Sequence, residues 1–511
     1  MMTLINSLEK TVQEHPNRVA IVANKEEITY ANLHQKSSAL AQTIINIGIQ
    51  KGDRVGFLFN KSLESVISIY GIMMAGACYV PLDIKSPKER IQSILNDCAI
   101  NLLITSKSSS ELDFLSTTQV STIITNKESG PVNTIPSIPW SMATAIPSTT
   151  MELPKIKEED VSYILYTSGT TGVPKGIVHT HKSAYSFAKW GAQEFLLTEK
   201  DVVSNHAPYH FDLSTFDLFA SCLVGAKVVI IPEVYTKFPA SIVKLIVSQK
   251  ISVWYSVPSA LVQMLVRGAL DRQKAASLRV VLFAGEEFPI PFLQGLIEVL
   301  DPSVILSNLY GPTETNVCTF YTLDPTIRYV QPLPIGILCK DFEYKIIDEN
   351  KEEVAVGTQG ELVVDGPHVM QGYWNRADLN NKAFIKINQS NYYRTGDFVK
   401  LLPDATLSFL GRKDRQIKLR GFRVELDAIE HILQNIPGVQ EVAVYIIEEN
   451  GNQYIKASLA VVEEVSKELV FKNLNKHLPP YAVPSKIDMR QELPKTSSGK
   501  IDRQKLMVAL V

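Results

Sequence analysis

The sequence lacks the marks of several broad classes of protein. Its five cysteines are scattered and form no C-x-x-C pair, which is typical of reduced thiols in a cytoplasmic protein. Its formal net charge is −2, so no basic surplus indicates a nucleic-acid partner. No apolar run reaches membrane-spanning length, and no signal segment opens the chain. We therefore expect a cytoplasmic protein with neither a membrane nor a nucleic-acid partner.

Histidine is also sparse, and its spacing gives no metal signature. The nine histidines include two close pairs, His179/His181 and His206/His210, and no cysteine or carboxylate pattern joins either pair. The hydrophobic share of 45% and the charged share of 20% are ordinary for a globular enzyme. A length of 511 residues predicts two or more domains.

One stretch, from Tyr166 to Gly176, combines residue types that hold phosphates. It follows an apolar run from Val161 to Tyr166 that predicts a buried strand. Glycines allow backbone N–H groups to approach an anion, and hydroxyls and a lysine add further donors. The donor residues of this loop are Thr167, Ser168, Gly169, Thr170, Thr171, Gly172 and Lys175. The motif is not the usual P-loop, because the lysine follows proline and precedes glycine.

Strand and helix patterns alternate over most of the chain, which predicts a doubly wound α/β fold. Residues 63–74 carry an apolar face at helical spacing, and 75–83 are interpreted as a helix end and a turn. Residues 105–150, rich in Ser, Thr and Pro, are interpreted mostly as loop. Buried strands are predicted at 228–231, 253–257 and 280–283.

The pattern changes after residue 325. Short strands between Gly, Pro and Asn turns predict a β-rich subdomain over about 325–411, which completes a large N-terminal unit of 1–411. The charged stretch 411–421 is interpreted as containing a hinge, at 412–415, rather than as a solvated linker. Residues 416–511 then form a small α+β unit.

Polar motifs stand at the predicted strand ends: Phe211–Ser214, Ala284–Glu286 and Asn308–Glu314. Since ligands bind at the carboxyl ends of strands in α/β sheets, these motifs predict one shared cleft.

With these motifs in view, the chain resembles the adenylate-forming enzymes, and within them the amino-acid adenylation domains of nonribosomal peptide synthesis. The resemblance runs from about Ile28 to Arg503. It rests on seven motifs in the family order: 166–176, 211–214, 308–314, 393–397, 411–425, 478–484 and 498–503. Ser498 stands where the family often has Asn.

The resemblance implies a fold with a large N-terminal domain and a small mobile C-terminal lid. It also implies two reactions, formation of an aminoacyl-AMP from ATP and transfer of the acyl group to the phosphopantetheine thiol of a carrier. The implied ATP contacts are the 166–176 loop, Asn308, Tyr310, Thr313, Asp397, Arg412 and Lys500. Glu314 would bind Mg²⁺, Asp414 would be the hinge, and Lys500 would bridge the reacting groups. Pre-placed cations and donors suit a reaction that joins two anions.

The resemblance also implies a substrate pocket. Asp212 would pair with the ammonium group of an amino acid, although a helix-capping role is the alternative. The remaining lining residues are Leu213, Phe216, Tyr255, Leu282, Ala284, Leu309, Val317, Cys318 and Lys500. Between its two charged ends, Asp212 and Lys500, the small lining is apolar and carries no further charge, which favours L-proline. It resembles the lining of stand-alone proline-activating enzymes of the anatoxin and pyrrole type.

Two alternatives remain open from the sequence. A D-alanine–carrier ligase of teichoic acid modification has a similar motif set, and pocket volume would distinguish it. A non-catalytic nucleotide-binding scaffold would be expected to lack Lys500, Glu314 or Asp397, and all three are present. No carrier segment follows Arg503 in the sequence, so the carrier is expected to be a separate protein. The sequence leaves the oligomeric state open.

Overall fold

The computed structural model describes residues 2–127, 134–146, 152–167, 169, 173–449, 452–462, 465–496 and 501–508. The strands in chain order are β1 (Val19–Ala23), β2 (Glu26–Thr29), β3 (Arg54–Leu58), β4 (Cys78–Pro81), β5 (Leu102–Thr105), β6 (Thr122–Thr125), β7 (Ser137–Pro139), β8 (Val161–Thr167), β9 (Lys175–Thr180), β10 (Val202–Asn205), β11 (Lys227–Ile230), β12 (Val253–Ser256), β13 (Val280–Ala284), β14 (Ile305–Tyr310), β15 (Thr319–Thr322), β16 (Ile337–Leu338), β17 (Glu343–Ile347), β18 (Gln359–Asp365), β19 (Gly372–Tyr373), β20 (Phe384–Ile387), β21 (Ser390–Leu401), β22 (Leu407–Arg412), β23 (Gln416–Leu419), β24 (Phe422–Glu425), β25 (Val439–Glu449), β26 (Asn452–Val461) and β27 (Lys486–Arg490).

The α-helices are α1 (Leu4–Glu14), α2 (Tyr30–Asn46), α3 (Leu63–Met74), α4 (Lys88–Asp97), α5 (Trp140–Ala143), α6 (His181–Glu194), α7 (Leu213–Thr215), α8 (Ser221–Val224), α9 (Pro239–Gln249), α10 (Pro258–Val266), α11 (Ile290–Val299), α12 (Ala377–Ala383), α13 (Leu426–Gln434), α14 (Lys467–His477) and α15 (Arg503–Val508). A π-helical turn, Phe216–Ala220, joins α7 to α8. Short 3₁₀ turns lie at Ser109–Glu111, Asp113–Thr117, Glu233–Lys237 and Pro480–Ala482.

Two large mixed sheets form the N-terminal part of the fold. The first has the order β16-β15-β14-β13-β12-β10-β11-β1-β2, and the second has the order β19-β9-β8-β4-β3-β5-β6-β7. Helices α2, α3 and α6 contribute to one apolar cluster with residues of both sheets, so the two sheets share a core. Helices α9, α10 and α11 cover the other face of the first sheet. The doubly wound α/β prediction is confirmed.

Side-chain caps fix where the shared-core helices begin. Ser62 accepts a hydrogen bond from the Ser65 N–H at the start of α3, and Thr180 accepts one from the Ser183 N–H at the start of α6. These caps satisfy N–H groups that the helix itself leaves unpaired. Helix α6 begins directly after β9, so the cap also fixes the helix against the strand that carries Lys175.

The β-rich region and the C-terminal part follow as predicted. Strands β17, β18, β20, β21 and β22 form one antiparallel sheet. After β22, residues 413–415 lead to the hairpin β23–β24, here called the lid hairpin (Gln416–Glu425). The C-terminal sheet β25-β26-β27 comes next, with α13, α14 and α15.

The C-terminal sheet has different partners on its two faces. One face packs in a cluster with α13, α14 and the lid-hairpin residues Leu419 and Val424. On the other face, Tyr445 belongs to a separate cluster with Leu493 and Leu506. The lid hairpin and the segments flanking 497–500 therefore belong to opposite faces of one sheet.

The prediction of a helix end and a turn over 75–83 is wrong in part. Helix α3 does end at Met74, but Cys78–Pro81 is strand β4, paired in parallel with β3. All four residues of β4 are buried. A strand buried on both faces shows no polar–apolar alternation, and Pro81, tolerated at the strand's end, suggested a turn.

The prediction of loop over 105–150 is also wrong in part. Strands β6 and β7 extend the second sheet in parallel, and α5 follows β7 directly. Ile123 and Ile124 are fully buried in β6. The surrounding Ser and Thr residues hid strand β6 in the sequence, because its pairing with β5 stabilises it more than its own composition does. Within the ranges that the structure covers, no helix is long and apolar enough to cross a membrane.

Candidate active site

The cleft forms where strands of the first sheet end. Strands β12, β13 and β14 run in parallel, and their carboxyl ends carry Tyr255, Ala284 and Tyr310. The chain then turns through Gly311 and Pro312 to Glu314. Sequence motifs that are far apart along the chain therefore meet at one edge of the sheet.

Glu314 is the centre of a buried charge cluster. Its side chain is fully buried and accepts hydrogen bonds from three groups. The Arg423 guanidinium donates to Oε2 at 2.8 Å and to Oε1 at 3.1 Å. The Tyr373 hydroxyl donates to Oε1 at 2.7 Å, and Lys175 Nζ lies 3.3 Å from the same oxygen. Lys175 also stands 4.8 Å from the centre of the Tyr373 ring.

The charges in this cluster decide the ionisation of Glu314. Burial alone would raise the pKa of its carboxyl, but Arg423 and Lys175 outweigh burial and hold the pKa well below its ordinary value. Glu314 is therefore an anion, and a carboxylate is the kind of ligand that a hard divalent cation takes.

His179 holds the backbone beside Glu314. Its Nε2–H donates to the Thr313 carbonyl at 3.0 Å, and its Nδ1 accepts from the Ser183 hydroxyl at 3.1 Å. Burial lowers the pKa of His179 to about 4, so the ring is neutral and has one fixed tautomer. The histidine therefore positions Thr313, a role that the His179/His181 spacing did not predict.

A second polar group surrounds Asp397. The Tyr310 hydroxyl donates to Oδ2, and Arg412 donates to Oδ1 at 2.5 Å. Arg412 also forms a two-pronged pair with Asp414, with Nε–Oδ1 at 2.7 Å and Nη2–Oδ2 at 3.0 Å. A carboxylate has about four acceptor positions, so Asp397 retains capacity for further hydroxyl donors. Asn308, on the same strand as Tyr310, donates its amide to the Pro334 carbonyl at 3.0 Å.

Asp212 has the helix-capping role that was the alternative, and it also lies close to Thr313, Lys418 and Tyr255. Its Oδ1 accepts from the Leu213 N–H at 2.9 Å at the start of α7. Burial raises the pKa of Asp212, against a hydrogen bond from Thr313 and the positive charge of Lys418. A half-buried carboxylate in this setting is a suitable partner for a cation.

The predicted apolar lining residues all belong to, or pack against, the large apolar cluster that the two sheets share. Leu213 packs against a cluster whose members include Phe216, Tyr255, Leu282, Ala284, Leu309, Val317 and Cys318. The Phe216 and Tyr255 rings stand edge to face, with centroids 5.4 Å apart. Both rings are almost fully buried, so together they form a wall with little freedom to move.

The loop after β8 is described only in part. Ser168, Thr170, Thr171, Gly172 and Lys500 lie outside the described residues. Thr167 ends β8, and its hydroxyl is buried with no hydrogen-bond partner among the residues that the structure describes. A Cβ on Gly169 would lie 2.3 Å from the Val173 carbonyl oxygen, so only glycine permits this close approach of the two residues. An unpaired hydroxyl and a glycine beside it fit a phosphate group.

The lid hairpin closes over this cleft. The Gly421 N–H donates to Glu286 Oε1 at 2.5 Å, and a Cβ on Gly421 would lie 2.5 Å from Val257. Gly421 has φ +80°, a conformation that favours glycine. Phe422 packs edge to face with Phe211 at 5.2 Å.

Sequence reasoning missed several residues of the site. Arg423 lay just after the charged stretch 411–421 that was assigned to the hinge, inside the family motif 411–425, and received no role. Glu286 lay in the strand-end motif 284–286, but its side chain received no role. Tyr373 carried no sequence signal, because its contact with Glu314 arises from the antiparallel pairing of β19 with β9.

The fold and the site define an enzyme of the AMP-binding family, and the chain belongs to it. The AMP-binding enzyme family matches residues 8–374, and the AMP-binding enzyme C-terminal domain matches residues 428–500.

Relatives cover almost the whole chain. An L-proline–[L-prolyl-carrier protein] ligase of Streptomyces coelicolor is 35% identical over 97% of this chain and 94% of its own length. A protein of the same name from Pseudomonas fluorescens is 33% identical over 98% of each chain. The solved Vibrio cholerae adenylation domain AlmE, in complex with glycyl-adenosine-5'-phosphate, has a TM-score of 0.85 at 23% identity, over 99% of this chain and 97% of that chain. That likeness shows the fold.

Proposed function

We propose that this enzyme activates L-proline as prolyl-AMP and transfers the prolyl group to the phosphopantetheine thiol of a carrier protein. The chain is an amino-acid-adenylating ligase of the AMP-binding family. The observation that carries the proline assignment is Asp212, whose charge acts on Tyr255, the ring that stands edge to face with Phe216. The names of the two relatives support the same substrate.

The proposed first step joins two anions. A proline carboxylate oxygen forms a bond to the α-phosphorus of ATP, the bond from that phosphorus to the bridging oxygen breaks, and pyrophosphate leaves. Asp212 would hold the secondary ammonium, and the loop with Thr167 and Lys175 would hold the departing phosphates. Lys500 would lie between the carboxylate and the phosphate. Positive charges placed before the reaction stabilise the charge that develops.

The nucleotide would be held by the groups around Asp397. Asp397 would accept from the ribose hydroxyls, Arg412 would support that side, and the Tyr310 ring and the Asn308 amide would lie on the adenine side. Thr313 would contact the α-phosphate. Glu314 would hold Mg²⁺, which when bound supplies charge neutralisation to the phosphates.

The proposed second step uses the lid arrangement seen here. The carrier thiolate attacks the prolyl carbonyl carbon, the bond from that carbon to the phosphate oxygen breaks, and AMP leaves. Gly421 lies against Val257 and Glu286 in this arrangement, where it would line the path of the thiol. Asp414 would be the hinge, within a short connection (412–415) between an N-terminal unit of 1–411 and a lid of 416–511.

The packing on the two faces of the C-terminal sheet supports a rotation of the lid between the two steps. The lid hairpin packs on one face, while Leu493 and Leu506, on either side of Lys500 in sequence, pack on the other. A rotation of the lid would replace one face with the other at the cleft. We also propose a reducing, cytoplasmic location, because all five cysteines are unpaired and buried.

An ATP–pyrophosphate exchange panel over the amino acids, with D-alanine and ring-modified prolines, tests the proposal. The expected result is the highest kcat/KM for L-proline. A strong signal for D-alanine with none for proline would overturn the substrate assignment. Transfer of radiolabelled proline to a phosphopantetheinylated carrier from a relative's pathway tests the second step.

A further inference from the structure

Helix α6 touches the substrate wall through a residue without a side chain. Gly191 lies in the last turns of α6, opposite Phe216. A Cβ built on Gly191 would lie 2.4 Å from Phe216 Cε2 and 2.8 Å from Cδ2. Those distances are far inside van der Waals contact, so the Phe216 ring occupies the place of the missing side chain.

The glycine is unfavourable for the helix itself. Glycine within a helix destabilises it relative to alanine, because the glycine backbone loses more freedom on folding. The contact with Phe216 gives a local reason for this choice, since alanine would improve the helix but displace the ring.

The Phe216 ring has few directions in which to move. Phe187 and Phe195 each stand 6.3 Å from it, and both are almost fully buried. Tyr255 stands 5.4 Å away at the end of β12. A methyl group on α6 would push the ring away from the helix and towards Tyr255. That displacement is directed at the strand ends, where the proposed substrate lies.

We infer that Gly191 is a specificity-determining positioning residue: it lets the Phe216 ring sit back against α6 and so sets the room available for the ring of the substrate. This inference rests on the proposed function, because it takes Phe216 as a wall of the amino-acid pocket. Gly191 itself would not contact the substrate. Gly191 affects which ring size of substrate the pocket accepts only through the position of Phe216.

The test compares Gly191→Ala with Gly295→Ala. Gly295 lies within helix α11, and a Cβ there meets nothing within 4 Å, so this control has the same helix effect without the contact. Exchange kinetics are measured with L-proline, with azetidine-2-carboxylate, which has a smaller ring, and with pipecolate, which has a larger one. We expect Gly191→Ala to raise the KM for proline about tenfold and to lower the proline-to-azetidine ratio of kcat/KM at least about fivefold, since one methylene in a tight pocket changes selectivity by 10- to 200-fold.

The KM for ATP should stay within about twofold of the parent enzyme in both variants, because Gly191 lies in the last turns of α6, away from the start of the helix beside β9, which carries Lys175. Phe216→Leu alone should admit pipecolate, and Gly191→Ala combined with Phe216→Leu should restore the KM for proline. Equal proline kinetics in Gly191→Ala and Gly295→Ala would overturn the inference. So would a KM for ATP that rises in parallel with that for proline.

Two further comparisons keep the result decisive. If Gly191→Ala does not yield folded protein, the change is made in the Phe216→Leu background, where it should leave the proline-to-azetidine ratio within twofold; a larger change would contradict the inference. If the parent enzyme prefers another amino acid, the proposed function fails, and Gly191 is then tested with that amino acid and its smaller analogue.

Discussion

Arg423 of the lid hairpin and Glu314 of the large N-terminal part form a buried ion pair across the cleft, with Nη1 2.8 Å from Oε2. Glu314 is also the carboxylate to which we assign Mg²⁺. The same group therefore cannot keep the full Arg423 contact and bind a cation with ATP. The pair links the position of the lid to the occupation of the phosphate site.

Arg423→Ala should weaken the second step more than the first. The arrangement that places Gly421 against Val257 loses a charged hydrogen-bond pair, a loss of about 1.5–3 kcal/mol, or about 10- to 100-fold in rate. Single-turnover transfer of proline to the carrier should fall by that factor, while pyrophosphate exchange stays within about threefold. Arg394→Ala, which breaks the Arg394–Glu361 pair in the β-rich sheet, is the control and should affect neither step. Equal loss of both steps in Arg423→Ala would contradict the assignment.

Lys500→Ala should abolish pyrophosphate exchange and spare transfer from supplied prolyl-AMP. The lysine is needed to join carboxylate and phosphate, and that task ends when the adenylate has formed. Lys495→Ala removes a nearby lysine that pairs with Glu441 at 2.6 Å and should leave both steps unchanged. The two half-reactions are measured separately, by isotope exchange and by quenched transfer. Loss of both half-reactions in Lys500→Ala would disprove the assignment of Lys500 to the first step alone.

Asp212→Asn should separate charge from capping. Asparagine caps a helix about as well as aspartate, so the thermal midpoint should not change. Loss of the negative charge should raise the KM for proline about 100-fold, since hydrogen bonds to charged groups are the strong ones. Asp212→Ala removes the cap as well and should lower stability by about 1 kcal/mol. An unchanged KM for proline in Asp212→Asn would leave the carboxylate with its capping role alone.

Thr167→Val should weaken ATP binding without loss of stability. The Thr167 hydroxyl is buried and makes no hydrogen bond within the described part of the chain, so its removal leaves no group newly unpaired among those residues. A lost hydrogen bond to a phosphate should raise the KM for ATP about 10- to 100-fold. Thr105→Val is the control, because the Thr105 hydroxyl donates to the Leu58 carbonyl at 2.9 Å. This variant should lose stability and keep the KM for ATP of the parent enzyme.

The protein should lose stability as pH falls from 6.5 towards 4. Burial lowers the pKa of His179, His181 and His368 to about 4 and that of His206 to about 3. Their unfolded pKa is about 6.5, so between these values the unfolded chain binds more protons. Each histidine then lowers the free energy of unfolding by up to about 1.4 kcal/mol per pH unit.

Thermal midpoints from pH 7 to pH 5 measure this loss. His179→Gln should reduce the slope of the midpoint against pH, whereas His431→Gln, at an exposed site on α13, should leave it unchanged. A midpoint that does not fall over this range in the parent protein would contradict the prediction.

Local patterns predicted most of the framework. The apolar run 161–166 is strand β8, and 63–74 is helix α3, because burial on a sheet or along one helical face leaves a mark in the sequence. The motif residue Glu314 was placed in the cleft through its position after a predicted strand end and through family resemblance, and Asp397 was placed there through the resemblance alone. Their partners were harder to find. Arg423 contacts Glu314 from 109 residues away. Such a pairing depends on how two units dock, and the local periodicity of the sequence carries no information on docking.

The two faces of the C-terminal sheet have a consequence for the order of events. If the lid hairpin and Lys500 reach the cleft from opposite sides of one rigid layer, they exclude each other there. Such an enzyme alternates between two lid positions. While the path for the thiol is open, Lys500, which would also serve the reverse of the first reaction with pyrophosphate, is withdrawn. The lid arrangement that favours transfer therefore slows the return of prolyl-AMP to ATP, while the overall equilibrium is still set by the concentrations of substrates and products.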